Sequence, residues 1–165
     1  MKKTLIIIAI FIGVLVCAVG YADSQYRTAI GRKAPALWLP QQGNRAPETS
    51  LAQQQGKYVV LNFWKSTDAP SRQAANEYTA WQRSHPDSKL EVISVNLDES
   101  PALFNEIMRR DSLIQSDQYY LGGDTAQAVI NSYGLNRGLG SMLIDPSGKI
   151  IVHNPTSAQL SQYAR

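Results

Sequence analysis

Two polar residues three positions apart, Asp68 and Ser71, are the first candidates for chemistry in this chain. Asp68 could act as a general base or a metal ligand, and Ser71 could act as a nucleophile. The segment Asp68-Ala-Pro-Ser71 also has the form of a helix start, because aspartate is a preferred N-cap and proline fits the first turn. A carboxylate at the positive end of a helix is stabilising in itself, so the sequence favours the N-cap interpretation of Asp68.

A serine nucleophile needs a general base, and the chain has two histidines, His85 and His153. They fall at a predicted helix end and a predicted strand end. A hydrolytic triad would therefore need the fold to place one of these histidines within hydrogen-bond distance of Ser71. Two isolated histidines without clustered carboxylates offer no metal-ligand spacing. The sequence therefore predicts no catalytic residue, no metal site and no cofactor.

Cysteine usage and charge exclude further classes of function. The chain has 165 residues and a single cysteine, Cys17, so the remainder has no thiol for redox chemistry. The formal net charge is +3, but Lys2 and Lys3 belong to the leading segment, which leaves 14 Lys and Arg against 13 Asp and Glu, a net +1. This charge is too small for electrostatic capture of nucleic acid, and no basic run concentrates it.

The first 22 residues have the pattern of an export segment: Lys2 and Lys3, an apolar run from Leu5 to Val19, and small residues up to Ala22. Cleavage after Ala22 and retention as a single membrane anchor are both consistent with the length of the run. Lipidation at Cys17 is a weaker alternative, because bulky residues precede it. We interpret residues 23–32 as a tether and residues 33–165 as one domain, exported to the periplasm or anchored to the inner membrane facing it.

Periodicity predicts alternating strands and helices. Tyr58 to Trp64 and Leu90 to Asn96 indicate buried strands, and each is followed by a helix start. Further predicted elements are strands or a hairpin within 34–56, an extended piece at 118–121, a helix capped by Asp124, a hairpin across 141–153 and a short closing helix in 157–165. This order indicates an α/β sandwich with parallel central strands and an antiparallel edge.

Four motifs resemble, in order and spacing, the membrane-anchored thiol–disulfide oxidoreductases of the thioredoxin superfamily, the TlpA/ResA type related to AhpC/TSA proteins. They are G-R-K-A-P-A-L-W-L from Gly31, G-K-Y-V-V-L-N-F-W-K-S from Gly56, S-V-N-L-D from Ser94, and Y-G-L-N-R-G-L-G-S-M-L-I-D-P-S-G-K-I from Tyr133. The resemblance covers Gly31 to His153 and implies a thioredoxin-like three-layer sandwich with a central mixed sheet flanked by helices. It is more specific for the fold than for the activity.

The resemblance breaks at the redox site. Where the family has a Trp-Cys-Pro-x-Cys motif, this chain has Thr67-Asp-Ala-Pro-Ser71. Asp68 stands for the nucleophilic cysteine and Ser71 for the resolving cysteine, and oxygen cannot replace sulfur in disulfide exchange. The family's facing G-x-P-T loop is matched by Arg137-Gly-Leu-Gly-Ser141 without a proline, so we expect trans peptide bonds there. At position 62 this chain has asparagine, where some thioredoxins have a buried aspartate. Asparagine at this position is common in proteins of the TlpA/ResA type.

We therefore expect a non-catalytic module that binds another envelope protein. The alternative is a thiol–disulfide oxidoreductase or antioxidant protein acting as its family does. Lys65, Arg72 and Arg137 are expected to give the site a basic character suited to an acidic or polar peptide. Trp38 is expected in the core, although it is the tryptophan most readily placed at a surface. The predicted binding residues are Trp64, Lys65, Thr67, Asp68, Pro70, Gly138, Leu139 and Gly140.

Overall fold

A computed structural model describes residues 28–41, 48–113 and 117–164, together with a few positions between Ile6 and Val14. The predicted leader, residues 1–22, thus lies largely outside the described residues, as do Cys17 and the start of the tether. The described positions between Ile6 and Val14 have helical backbone and are exposed. Within the described part of the chain, no helix combines the length and the apolar character needed to cross a bilayer.

A five-stranded mixed sheet forms the centre of the domain, with a two-stranded antiparallel sheet beside it. The strands are β1 Trp38–Leu39, β2 Thr49–Ser50, β3 Val59–Trp64, β4 Glu91–Asn96, β5 Gln118–Tyr120, β6 Ser141–Ile144 and β7 Ile150–His153. In the large sheet the spatial order is β5-β4-β3-β6-β7; β3, β4 and β5 are parallel, whereas β6 and β7 run antiparallel to their neighbours.

Helices cover both faces of this sheet because its central strands are apolar on both sides. The helices are α1 Ala69–Ser84, α2 Pro101–Arg110, α3 Gly123–Tyr133 and α4 Ser157–Leu160. Val60 packs with Trp81 of α1 and Leu160 of α4, whereas Phe63 packs with Tyr133 of α3 on the opposite face. The predicted α/β three-layer sandwich is therefore confirmed.

Three local predictions are corrected. Asp124 is not the cap of α3, since Gly122 is the N-cap and Asp124 lies within the first turn. The closing helix spans only Ser157–Leu160. Trp38 is 54% exposed and its indole Nε1 donates to Glu48 Oε1 at 3.1 Å. The reason is strand alternation: Leu37 and Leu39 point into the core, so the residue between them points away from it.

The end of the predicted tether packs on the domain. Thr28 is buried and its carbonyl accepts a hydrogen bond from His153 Nε2 at 2.9 Å. The Gly31 N–H donates to the Ile150 carbonyl at 2.7 Å, and the Ile150 N–H donates to the Arg32 carbonyl at 2.9 Å. Residues 28–32, which fall in the segment predicted as a tether, are therefore hydrogen-bonded to the domain beside β7.

Candidate functional site

The start of α1 is built around Asp68. This residue has extended backbone geometry, and its Oδ1 accepts a hydrogen bond from the Ser71 N–H at 2.9 Å. The bond satisfies one of the backbone donors that a helix leaves unpaired at its first turn, and Pro70 occupies a position that needs no donor. The N-cap interpretation is confirmed, and the carboxylate of Asp68 is committed to the helix.

Ser71 has a hydroxyl that closes the turn before the helix. Its Oγ accepts from the Lys65 N–H at 3.2 Å and donates to the Asp68 carbonyl at 3.1 Å, and the residue is 4% exposed. A nucleophile must be reachable and its proton must go to a base, whereas this hydroxyl is buried and donates to the main chain. The arrangement supports the backbone and is not suited to attack on a substrate.

Neither histidine lies where it could serve Ser71. His85 ends α1 and stacks on Trp81 with ring centroids 4.5 Å apart. It is fourteen residues further along the same helix, about 21 Å at 1.5 Å per residue. His153, the last residue of β7, donates a hydrogen bond from Nε2 to the Thr28 carbonyl. The hydrolytic triad considered from the sequence therefore does not form.

The loop Gly138–Gly140 lies beside the end of β3. The Phe63 N–H donates to the Gly140 carbonyl at 3.1 Å, and strand pairing brings Asn62 opposite Ser141. Cis peptide bonds are absent throughout the described residues, so the loop is trans, as the missing proline predicts. Pairing through β3 thus brings the two altered features of the site, the start of α1 and the loop, to the same end of the sheet.

A side chain at position 140 would have to displace the side chain of Asn154. A β-carbon there would lie 2.8 Å from Asn154 Oδ1, which accepts the Ser141 N–H at 2.9 Å. Beneath the loop, the Tyr78 hydroxyl donates to the Pro155 carbonyl at 2.8 Å and lies 2.6 Å from Ser141 Oγ. These contacts hold the loop against β7 and α1.

The basic character predicted for the site is only partly present. Arg72 forms a two-pronged ion pair with Asp111 at the end of α2, with both nitrogen-to-oxygen distances 2.6 Å. Hydrogen bonding to Arg72 lowers the pKa of the Asp111 carboxyl, and the same contact raises the pKa of Arg72. Arg72 therefore joins two helices through this ion pair. Lys65 is half-buried and Arg137 is exposed.

Trp64 was predicted in the binding set, and the structure corrects this. Its side chain is fully buried and its Nε1 donates to Gln118 Oε1 at 3.1 Å. The other predicted binding residues reach the surface: Thr67, Pro70 and Gly138 are exposed, and Lys65, Asp68, Leu139 and Gly140 are half-buried.

A buried carboxylate that the sequence analysis missed, Asp98, supports the turn before α1. Asp98 is 4% exposed and accepts the Ser66 N–H at 2.9 Å, the Ser66 hydroxyl at 2.5 Å and Asn96 Nδ2 at 2.9 Å. The sequence did offer a signal for this cluster. Ser66 follows β3 and Asn96 ends β4, and the carboxyl ends of these neighbouring parallel strands lie at the same edge of the sheet. The cluster fixes the turn that carries Lys65 to Asp68.

Two buried polar side chains lie on the sheet below. Asn62 on β3 and Ser94 on β4 are in register and fully buried, and neither Asn62 amide atom nor Ser94 Oγ has a hydrogen-bond partner. An asparagine amide does not titrate, so this position cannot transfer a proton as a carboxylate would.

The comparisons with known proteins agree with this geometry. The sequence model of the AhpC/TSA family matches residues 30–153. A thiol-disulfide oxidoreductase ResA of Bacillus subtilis is 27% identical over 157 residues, covering 91% of this chain and 84% of that protein. A ResA of Bacillus thuringiensis subsp. konkukian is 23% identical over 175 residues, covering 100% of this chain and 98% of the relative.

Solved structures show the same fold. A thioredoxin-like protein from Parabacteroides distasonis superposes with a TM-score of 0.67 at 27% identity, covering 82% of this chain and 93% of that one. The thioredoxin domain of a thiol-disulfide oxidoreductase from Bacteroides vulgatus gives a TM-score of 0.72 at 22% identity, covering 83% and 99%. The chain therefore belongs to the AhpC/TSA family, and it is similar to thiol-disulfide oxidoreductases named ResA and to a solved thioredoxin-like protein.

Proposed function

We propose that this protein is a non-catalytic binding module of the cell envelope. Its docking face, as we define it, consists of Lys65, Thr67, Asp68, Pro70 and the loop Gly138–Gly140. The partner is another envelope protein that presents a polar or acidic segment to this face.

The observation that carries the proposal is the hydrogen bonding of Ser71. Thiol–disulfide exchange forms and breaks sulfur–sulfur bonds, and the second sulfur's position holds a hydroxyl bonded to Lys65 N–H and the Asp68 carbonyl. The first position holds a carboxylate engaged as a helix cap. The turn is thus well ordered by oxygen atoms that cannot take part in the family's reaction.

The turn and the loop are well ordered and carry exposed residues. This supports a site that binds a partner over a site that has only lost its catalytic residues. Asp98 holds the turn through Ser66, and Phe63 holds the loop through Gly140. Thr67, Pro70 and Gly138 are exposed on this frame. A rigid surface loses little conformational entropy when a partner binds, which favours affinity.

The envelope location rests on two supports. The leader has a positive start and an apolar run, and the relatives are thiol-disulfide oxidoreductases, a class whose chemistry requires access to disulfides. The proposal holds whether the leader is cleaved after Ala22 or retained as a membrane anchor.

An insulin-reduction assay with dithiothreitol tests the absence of catalysis. The expected rate with the protein equals the rate with dithiothreitol alone, because no thiol lies at the site. The matched variant Asp68→Cys/Ser71→Cys restores both sulfurs on the same backbone, and it should reduce insulin above background. Turnover by the native protein that heat abolishes would overturn the proposal, and loss of that turnover in Cys17→Ser would assign it to the thiol–disulfide alternative.

In-cell photocrosslinking tests the binding half of the proposal. A crosslinking residue at Thr67 or Arg137, both exposed, should capture the same discrete partner, whereas one at the exposed Gln127 on α3 should not. Lys65→Glu should weaken the capture if the partner segment is acidic. Equal capture from all three positions, or none from Thr67 and Arg137, would contradict the docking face.

A further inference from the structure

The loop of the docking face, Gly138–Gly140, contains two glycines and no proline. Gly138 has a φ of 153°, which lies in the region that favours glycine, and Gly140 stands at the position of the proline in the G-x-P-T pattern. Glycine has the largest backbone freedom of any residue, so a loop of this composition loses more entropy when it becomes ordered. Contacts from outside the loop must therefore supply its order.

A chain of three oxygen atoms beneath the loop supplies such contacts. The Tyr78 hydroxyl lies 2.6 Å from Ser141 Oγ and 2.8 Å from the Pro155 carbonyl oxygen. A phenol has one proton and a carbonyl can only accept, so Tyr78 donates to Pro155 and Ser141 donates to Tyr78. Both side chains are buried, and burial raises the pKa of the Tyr78 phenol, so the hydroxyl keeps its proton at neutral pH.

The main chain of Ser141 is held by Asn154 at the same time. The Ser141 N–H donates to Asn154 Oδ1 at 2.9 Å, and the Asn154 N–H donates to the Ser141 carbonyl at 2.8 Å. Asn154 directly precedes Pro155, which accepts from Tyr78. Ser141 and the turn after β7 thus form one hydrogen-bonded unit, and Tyr78 links this unit to α1.

Tyr78 also relates the loop to the other part of the docking face. Asp68 caps α1, Ser71 lies in its first turn, and Tyr78 follows seven residues after Ser71. Ser71 and Tyr78 are both buried, and a spacing of seven residues places them on one face of the helix, about 10 Å apart along its axis. A single helix therefore carries one part of the docking face and holds the other.

We propose that Tyr78 is a positioning residue of the docking face. Its hydroxyl holds Ser141 and Pro155 and so orders the loop Gly138–Gly140 against the start of α1, in place of the proline ring that the loop lacks. The inference rests on the proposed docking function. Without this hydroxyl the loop must be ordered when the partner binds, and the affinity falls accordingly.

Amide hydrogen exchange on the full chain, resolved by NMR, tests whether Tyr78 orders the loop. Tyr78→Phe removes the hydroxyl and keeps the ring. It should accelerate exchange of the Ser141 and Asn154 amides about tenfold, because buried groups lose their partners. Tyr133→Phe is the matched control, since Tyr133 is also buried and its hydroxyl also donates to a proline carbonyl, that of Pro35, at 2.7 Å.

The control should leave exchange at Ser141 and Asn154 unchanged. Unchanged exchange in Tyr78→Phe, or the same acceleration in Tyr133→Phe, would overturn the proposal. Urea unfolding shows that both variants remain folded.

A double variant tests the direction of the hydrogen bonds. Since the Ser141 hydroxyl acts through Tyr78, exchange of the Asn154 amide in Tyr78→Phe/Ser141→Ala should be no faster than in Tyr78→Phe alone. Accelerations that multiply would mean that the two hydroxyls act independently, which contradicts the proposal.

Photocrosslinking from Thr67 separates this inference from the docking function itself. Capture of the partner should fall about tenfold in Tyr78→Phe and stay at the native level in Tyr133→Phe. Native-level capture by Tyr78→Phe would overturn the positioning role and leave the docking face standing. No capture by the native protein would overturn the docking function, and the exchange rates would then decide alone whether Tyr78 orders the loop.

Discussion

Replacing Asp68 with alanine should destabilise the domain by about 1–2 kcal/mol. The side chain caps α1 through one hydrogen bond of 2.9 Å to the Ser71 N–H, and losing such a cap costs about 0.5–2 kcal/mol. The carboxylate also lies at the positive end of a 16-residue helix, which contributes about 0.3–1 kcal/mol of that total.

Two companion substitutions divide this cost into its parts. Asp68→Asn keeps an oxygen acceptor and removes the charge, so it should cost no more than about 0.5–1 kcal/mol. Ser71→Ala leaves the Lys65 N–H without the acceptor it has at 3.2 Å, and an unmade bond at a buried position costs about 1–3 kcal/mol. Because both residues support one turn, the double variant should cost less than the sum of the single variants.

Urea unfolding followed by circular dichroism measures these differences, with Thr67→Ala as the exposed neighbouring control. The control should stay within about 0.5 kcal/mol of the native protein. An Asp68→Ala variant as stable as this control would refute the cap argument. If Asp68→Asn remained stable but lost the crosslinked partner, the charge would serve recognition in addition to the helix.

Three further substitutions test other parts of the structure. Ser94→Ala removes a buried hydroxyl without a partner and should raise the free energy of unfolding by about 1 kcal/mol; a loss measured in urea would contradict this. Asp111→Asn should cost about 1–3 kcal/mol at neutral pH, because it leaves half-buried Arg72 without its carboxylate. The native pKa of Asp111 is lowered, so the gap between native and variant should be constant well above the unfolded pKa of about 3.9 and shrink as the pH falls below it; a gap independent of pH would refute this origin. Gly140→Ala should cost about 1 kcal/mol by displacing Asn154 from the Ser141 N–H; in an Asn154→Gly background, where that bond is already absent, unfolding curves should show a smaller cost for Gly140→Ala.

Local pattern was sufficient to predict much of the fold. The run from Tyr58 to Trp64 is rich in β-branched and aromatic residues, and its residues Val59–Trp64 form the fully buried central strand. Asp68, followed by proline within the first turn, defines a helix start through chemistry that is local in sequence. Residues in such segments carry their own structural signal, and the start of α1 could therefore be predicted to the residue.

The errors arose where a neighbour distant in sequence decides the outcome. Trp64 extends an apolar run and could have ended the strand at the surface, but it packs against Phe104 and its neighbours on α2 and donates to Gln118 of β5. Arg72 is charged and near the site, yet Asp111, 39 residues away, binds it. Asp98 is a core residue because two strand ends converge on it. None of these contacts has a periodic signature in the sequence.

The hydroxyl of Ser71 has a consequence for the conditions under which the docking face works. In a relative with two cysteines, this surface exists in an oxidised and a reduced covalent form, and a partner can distinguish them. Here the Ser71 hydroxyl closes the turn by accepting from the Lys65 N–H and donating to the Asp68 carbonyl, and no oxidant or reductant alters these bonds. Binding at this face is therefore expected to follow the concentration of the partner and to be insensitive to the redox poise of the compartment.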